Sequence, residues 1–449
     1  MSTANAKIER VAFVVLASVL MLFGCRRTHR AQGVSLEDAA KEYIKIAAEL
    51  GQRDQDSLDY AYGPEALQIR DSGSQPAMRE IEAASDRLET KLEQQRGSQG
   101  AAEMRREFLV QQTKALASRA ALLLGAAESF DEETRQSFGV VVPAGVDARQ
   151  IAHVQRQLNA LLPGGGSLAA RYARYDAAFL VTPAKVPTVL QAAMQACREA
   201  TLAHVPLPKG ESVTLAYVHN KPWSAYSWYR GAYHSEIDIN MDYGLTVDRI
   251  VNLACHEAYP GHHTYNSLRE QELVQRQGWI EYSVQPTYSP QSMISEAMAN
   301  EAAAVALPAE QRLALERDVL FPLAGLERRE AARYLQVEQL ADALHSVEPQ
   351  VAREYLDGRM EFERASDALE RNALMTHPEV LLQYMNEYRS YVTTYTYGRD
   401  QMAALLQPQQ GDELTRWGRY LAWMQEPVRL SERGLEWRQP LAAVASGGG

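Results

Sequence analysis

Residues 256–263 read H-E-A-Y-P-G-H-H and contain three of the ten histidines in this 449-residue chain. Imidazole nitrogens are common zinc ligands, and a glutamate that follows the first histidine of such a site acts as general base toward the metal-activated water. His256 and Glu257 therefore predict a metal-dependent hydrolytic site. The alternative interpretation is a helix, a Pro-Gly turn and two surface histidines that bind nothing.

The spacing of these histidines departs from the usual H-E-x-x-H pattern, because Pro260 stands where the second histidine would be. On a straight helix His262 would lie about 120° away from the face of His256, and His263 would lie about 10.5 Å along the axis. Neither residue could then share a metal with His256. Pro260 and Gly261 predict a break or bulge that brings His262 within reach as the second ligand. His263 is expected beside the ligands or facing the substrate.

The string resembles the H-E-x-x-P-G-H-H signature of the bacterial DUF885 family, which is grouped with zincin-type metallopeptidases. The resemblance extends over roughly residues 213–405 and includes a G-x-M turn at 358–360 and a Y-x-x-G element at 395–398. It implies a mainly α, large helical gluzincin-like fold with a small β-sheet next to the metal-binding helix. It also implies a zinc-dependent hydrolase that acts on peptides.

Glu296 is the expected third ligand of a single zinc ion, together with His256 and His262. It falls two turns inside a helix whose start is indicated by a serine and a proline at 289–290. An acid among small and apolar residues is usually paired or a ligand. Family members carry a glutamate at a comparable place, commonly in E-G-W-A, where this chain has E-A-M-A. Glu301 is the alternative, as a ligand or as a group next to the ligands or substrate.

Two further residues are expected to act on the substrate. Glu257 would take a proton from the water nucleophile and pass it to the leaving amine. The resemblance implies that Tyr395 donates a hydrogen bond to the developing oxyanion. The alternative for Tyr395 is a core tyrosine that is bonded to backbone.

The N-terminus predicts export. An unbroken run of apolar or small residues at 11–24 is about the length of a signal-peptide core and short for a membrane span. It ends in L-F-G-C, which resembles a bacterial lipobox, so residues 1–24 are interpreted as a lipoprotein signal peptide and Cys25 as the lipidated residue. Arg26 stands where an inner-membrane retention signal would place aspartate, which favours the outer membrane, facing the periplasm. A plain membrane anchor is the alternative.

The remaining chain divides by composition into a helical region at 25–205, a metallohydrolase-like region at 206–440 and a disordered tail at 441–449. Tyr, Trp and Ile at 213–218 and 224–240 predict a small sheet. The net charge of −11 argues against nucleic acid as a partner. Whether the two cysteines downstream of Cys25 pair stays open.

Two other functions are compatible with this sequence. One is an envelope lipoprotein that binds zinc or another ligand without turnover, which would keep the histidines but would not need Glu257. The other is a helical lipoprotein with no metal at all. Oligomeric state is not determined by the pattern.

Overall fold

The computed structural model describes residues 35–95, 99–407, 415–427, 430–431 and 434–435, which are mainly α-helical with small sheets. This is the predicted fold class. The predicted signal peptide, Cys25 and the tail at 441–449 lie outside the described residues. No helix in the described part of the chain combines the length and the apolar character that a bilayer span requires.

The chain begins with a series of helices that precede the main sheet. These are α1 (Leu36–Arg53), α2 (Pro64–Ser72), α3 (Met78–Glu93), α4 (Ala101–Leu123), α5 (Phe130–Phe138), α6 (Ala148–Leu161), α7 (Leu168–Ala177) and α8 (Val186–Leu202). A short strand, β1 (Leu58–Ala61), lies between α1 and α2 and pairs antiparallel with β5 (Val284–Pro286).

The predicted small sheet is formed by β2 (Ser212–Val218), β3 (Ala225–Gly231) and β4 (His234–Asn240). Its order is β2-β4-β3, in which β2 runs parallel to β4 and β3 runs antiparallel to it. Alternation along β4 buries Ile237 and Ile239 against the helices. The stretch at 224–240 therefore forms two antiparallel strands of the predicted small sheet, directly before the helix that leads to His256.

The second half of the chain returns to helices. These are α9 (Val247–Leu253), α10 (His262–Arg269), α11 (Pro290–Ala306), α12 (Ala309–Leu315), α13 (Phe321–Ala324), α14 (Ala331–Asp342), α15 (Glu348–Leu356), α16 (Phe362–Ala373), α17 (Pro378–Tyr388), α18 (Arg399–Leu406) and α19 (Arg416–Gln425). π-Helical segments occur at Ala254–Ala258, Glu270–Arg276, Glu316–Leu320 and Thr394–Gly398. A two-residue pair of strands, β6 (Leu430–Ser431) and β7 (Gly434–Leu435), follows α19.

Side-chain caps fix the starts of the two helices that carry the site. The hydroxyl of Thr246 accepts a hydrogen bond from the backbone N–H of Arg249 at the start of α9. Ser289 caps α11 in the same way through the N–H of Ser292, and Pro290 occupies its first turn. The start of α11 at Ser289 and Pro290 was predicted from sequence, because capping chemistry is local.

The helix α11 is buried along almost its whole length, which explains its small and apolar residues. One buried cluster joins α8, β4, α9 and one face of α11, with Ala302 at its contact. A second joins the other face of α11 to α10, α18 and α19, with Met293 and Ala297 in it. The compact unit that contains these clusters comprises Leu36–Gly449. It therefore includes residues of both the helical region predicted at 25–205 and the metallohydrolase-like region predicted at 206–440.

Candidate metal centre

The helix that carries His256 is interrupted where the sequence predicted. Helix α9 passes into the π-helical segment Ala254–Ala258, and Tyr259 then adopts an extended conformation with φ −125° and ψ 122°. A new helix, α10, begins at His262. The prediction of a break at residues 260–261 is confirmed, and a continuous helix through the motif is excluded.

Gly261 allows the chain to turn back on itself at this break. Its N–H donates to the carbonyl oxygen of Cys255 at 2.9 Å. A Cβ atom at this position would lie 1.8 Å from the carbonyl oxygen of His256 and 2.4 Å from that of Cys255. Both obstacles are backbone atoms, so they cannot rotate away, and the close approach requires glycine.

Cys255 and Cys197 form a disulfide, with their Cα atoms 5.6 Å apart. The bond attaches α8 to the residue that directly precedes His256. Both cysteines are fully buried. The pairing that the sequence left open is therefore present, and Cys255 has a structural role.

The imidazoles of His256 and His262 and the carboxylate of Glu296 converge. The two Nε2 atoms lie 3.1 Å apart, and each lies 3.4 Å from one oxygen of Glu296. A tetrahedral zinc ion with bonds of about 2.0–2.1 Å holds its ligand atoms about 3.3 Å apart. The Oε2 atom of Glu296 is buried and receives no hydrogen bond within the described part of the chain. The donor set, its spacing and this oxygen all fit a zinc ion.

Glu257 lies beside the same histidines. Its ligand-capable atom and those of His256 and His262 lie within 4.8 Å of one another. By distance alone either carboxylate is a candidate ligand. Glu296 is the better one, because its two oxygens each contact a different Nε2 atom. Glu257 lines the neighbouring cavity instead, which suits a proton acceptor.

In this cluster the carboxylate of Glu296 and the imidazoles of His256 and His262 stabilise one another's charged forms. Burial would raise the pKa of Glu296, but the two imidazoles hold that pKa well below its usual range. Burial would lower the pKa of His262, yet the Glu296 carboxylate outweighs it and raises this pKa to about 9. Glu296 is therefore ionised at neutral pH, as a ligand must be, whereas His262 has to lose its proton in order to bind a metal.

Two groups that were not predicted from the sequence contact the candidate ligands and hold their orientation. The hydroxyl of Tyr391 donates to Oε1 of Glu296 at 3.0 Å. The Oγ atom of Ser295 lies 3.1 Å from Nδ1 of His262. Partners of this kind orient metal ligands in proteins. Ser295 could have been predicted from sequence, because it is adjacent to Glu296. Tyr391 could not, because it is separated from Glu296 by 95 residues.

His263 and Glu301 lie apart from the ligand cluster. His263 is fully buried, with Nδ1 2.8 Å from Oγ of Ser235 and Nε2 3.0 Å from Glu211. His263 therefore contacts the sheet and Glu211, and its expected place beside the ligands or facing the substrate stays a prediction. Glu301 accepts a hydrogen bond from Arg416 at 2.9 Å, so its charge is already compensated.

A cavity of about 700 Å³ opens beside the cluster and is lined by His256, Glu257 and Tyr395. The hydroxyl of Tyr395 lies 3.4 Å from that of Tyr384. Burial raises the pKa of Tyr395 further above its ordinary value, so the phenol remains protonated and can donate. Arg249, which the sequence analysis did not single out, also lines this cavity. A smaller cavity of about 350 Å³ lies along β1 and β3 and contains none of the ligands.

Comparisons with known proteins give only remote likenesses. No family model and no curated protein matches the chain. A candidate lipoprotein from Colwellia psychrerythraea has a similar structure, with 13% identity and a TM-score of 0.45 over 80% of this chain and 66% of that one. The M32 carboxypeptidase from Deinococcus radiodurans R1 is similar with 14% identity and a TM-score of 0.36, over 87% and 88% of the two chains. At these values neither likeness carries an argument about function.

Proposed function

We propose that this protein is a zinc-dependent hydrolase of the peptidase type, in which His256, His262 and Glu296 hold one zinc ion. The convergence of their ligand atoms at 3.1–3.4 Å is the observation that carries the proposal. The cluster also opens onto a cavity large enough for a substrate. The choice of peptides rests on the resemblance of the motif to the DUF885 signature, whereas the residues themselves support hydrolysis at a polarised carbonyl.

In this proposal each side chain has a separate task. A zinc ion would supply Lewis acidity, which polarises the scissile carbonyl and lowers the pKa of water. Glu257 accepts a proton from the attacking water and delivers it to the leaving amine. Tyr395 donates a hydrogen bond to the carbonyl oxygen as negative charge develops there. Tyr391 and Ser295 keep the ligands in place.

We also propose a location in the cell envelope, with the lipid anchor on Cys25 in the outer membrane and the folded part in the periplasm. The N-terminal pattern is the basis of this assignment. The disulfide between Cys197 and Cys255 supports it, because disulfides persist in oxidising compartments.

Elemental analysis of the purified full chain tests the zinc site directly. We expect about one zinc ion per chain, since three converging protein ligands bind zinc tightly and leave the fourth position open to water. His262→Ala should reduce the content far below one ion per chain, because it removes a ligand. His153→Ala, at an exposed histidine on α6, is the matched control and should retain zinc. A wild-type chain that remains free of zinc after incubation with the ion would contradict the proposal.

Tyr391→Phe should weaken zinc binding by roughly tenfold to a hundredfold, which is the usual effect of losing a group that orients a ligand. The change removes the hydroxyl that donates to Glu296 and leaves the ring packing intact. The measurement is the zinc dissociation constant by competition with a chelator. Thermal unfolding of the zinc-free variant should match that of the zinc-free wild type. An unchanged dissociation constant would show that Tyr391 does not position Glu296.

A further inference from the structure

The cavity extends well beyond the ligand cluster, along α9. The residues that line it include Asp248 and Asn252 on α9, and His256 and Glu257 in the π-helical segment that continues α9. The length of this helical stretch therefore gives the approximate length of the cavity. At 1.5 Å per residue, Asp248 lies roughly 13 Å from Glu257. An extended peptide covers that distance with about four residues, at about 3.3–3.5 Å each.

The far end of the cavity is acidic, and part of its charge is compensated within the protein. Arg312 forms an ion pair with Asp248, and Arg399 forms one with Asp342. These pairs account for two of the carboxylates that line this end. Glu301, which also lines the cavity, forms an ion pair with Arg416. Glu338 on α14 and Asp176 on α7 have no arginine or lysine in ion-pair contact within the described ranges, and both lie close enough to Asp248 for its charge to raise their pKa values.

Glu338 is the more buried of the two, with 8% of its surface exposed. Its Oε2 atom accepts a hydrogen bond from the hydroxyl of Tyr172 at 2.9 Å. Its Oε1 atom is buried and receives no hydrogen bond from any described residue. Burial, followed by the charges of Asp248 and Asp176, raises the pKa of Glu338 to about 8. This carboxylate is held in place by one oxygen while the other lacks a partner.

Asp176 lies on the same face of α7 as Tyr172, four residues further along. Its side chain is half-buried and lines the cavity. Burial and then the charge of Asp248 raise the pKa of Asp176 to about 6, although His377 partly opposes them. Burial and the neighbouring negative charges disfavour the ionised forms of these two carboxyl groups, and a cation bound between them would favour ionisation of both.

We propose that Glu338 and Asp176 form a subsite that binds the ammonium group of a peptide substrate. The proposal rests on the hydrolase function for the expectation that the substrate is a peptide. An ammonium group offers three N–H donors, which suits the free oxygen of Glu338 together with those of Asp176. The length of the cavity places this group about four residues from the bond that Glu257 would help to cleave. The ammonium belongs either to the N-terminus of the peptide or to a lysine side chain.

Binding measured by calorimetry in a Glu257→Gln background tests this without any turnover. The probes are tetraalanine, N-acetyl-tetraalanine, N-acetyl-Lys-Ala-Ala-Ala and its norleucine counterpart. We expect at least one ammonium-bearing probe to bind about tenfold to a hundredfold more tightly than its neutral partner, as a charge-assisted hydrogen bond allows. Preference within the first pair identifies an N-terminal ammonium, and preference within the second pair identifies a lysine side chain.

Adding Glu338→Gln should abolish that preference, since glutamine still accepts the hydrogen bond from Tyr172 but carries no charge. Asp176→Asn, at a half-buried position, is the second variant and should act in the same direction. Glu327→Gln removes one negative charge at an exposed position outside the cavity and should leave the preference unchanged. Equal affinity for charged and neutral probes, or no binding of any probe, would overturn the subsite. A different result would overturn only the proposed function. In that case the ammonium-bearing probe still binds more tightly than its neutral partner, but the chain neither binds zinc nor hydrolyses peptides.

Discussion

Glu257→Gln is expected to lower hydrolytic turnover by roughly two to four orders of magnitude, which is the usual range for a general acid–base group. Glutamine preserves the shape of the side chain but cannot accept a proton from water. Zinc content should remain near that of the wild type, because Glu296 and not Glu257 contacts both Nε2 atoms. Turnover of peptide substrates and elemental analysis on the same preparation provide the two measurements.

The informative comparison is with His256→Ala, which should lose zinc and activity together. A Glu257→Gln chain with stoichiometric zinc and wild-type turnover would eliminate the hydrolase mechanism. The better account would then be an envelope lipoprotein that binds zinc without catalysis. A Glu257→Gln chain that loses zinc would show instead that Glu257 is a ligand. This outcome has a structural basis, because the ligand-capable atoms of Glu257, His256 and His262 lie within 4.8 Å of one another.

Gly261→Ala should abolish zinc binding and activity and destabilise the fold around the motif. The added Cβ atom would lie 1.8 Å from the carbonyl oxygen of His256, a distance that no real contact tolerates. To relieve this clash the backbone between the two histidines must open, which separates their Nε2 atoms. We expect zinc content far below one ion per chain and a lower midpoint of thermal unfolding.

Gly165→Ala is the matched control, because a Cβ atom there would meet nothing within 4 Å. Its zinc content and unfolding midpoint should match those of the wild type. A Gly261→Ala chain that retains one zinc ion would mean that the motif can adopt another backbone path, and the close approach at this glycine would not be needed for the site.

The parts of the site that were predictable depend on local backbone chemistry. Pro260 and Gly261 constrain their own dihedrals and hydrogen bonds, so the break between the histidines followed from the sequence. The start of helix α11 at Ser289 followed from capping in the same way. Glu296 was placed by its position inside the second of these helices and by the family resemblance.

The parts that were missed depend on contacts between distant segments. Tyr391 reaches Glu296 across 95 residues, and Tyr172 reaches Glu338 across 166. Neither contact leaves a periodic or local trace. The partners of His263 were missed for the same reason, because Ser235 and Glu211 lie 28 and 52 residues away along the chain.

The disulfide makes the stability of the candidate metal centre depend on whether Cys197 and Cys255 are oxidised. It closes a loop across a sequence separation of 58 residues, which restricts the unfolded chain by about 4 kcal/mol in the chain-entropy model. Its C-terminal cysteine directly precedes His256, one of the proposed ligands, so the constraint acts on the segment that would have to hold its shape before an ion binds. A reduced chain would therefore bear its ligands on a less stable scaffold than an oxidised one. Metal loading is thereby favoured after oxidation, in the compartment where the protein would work.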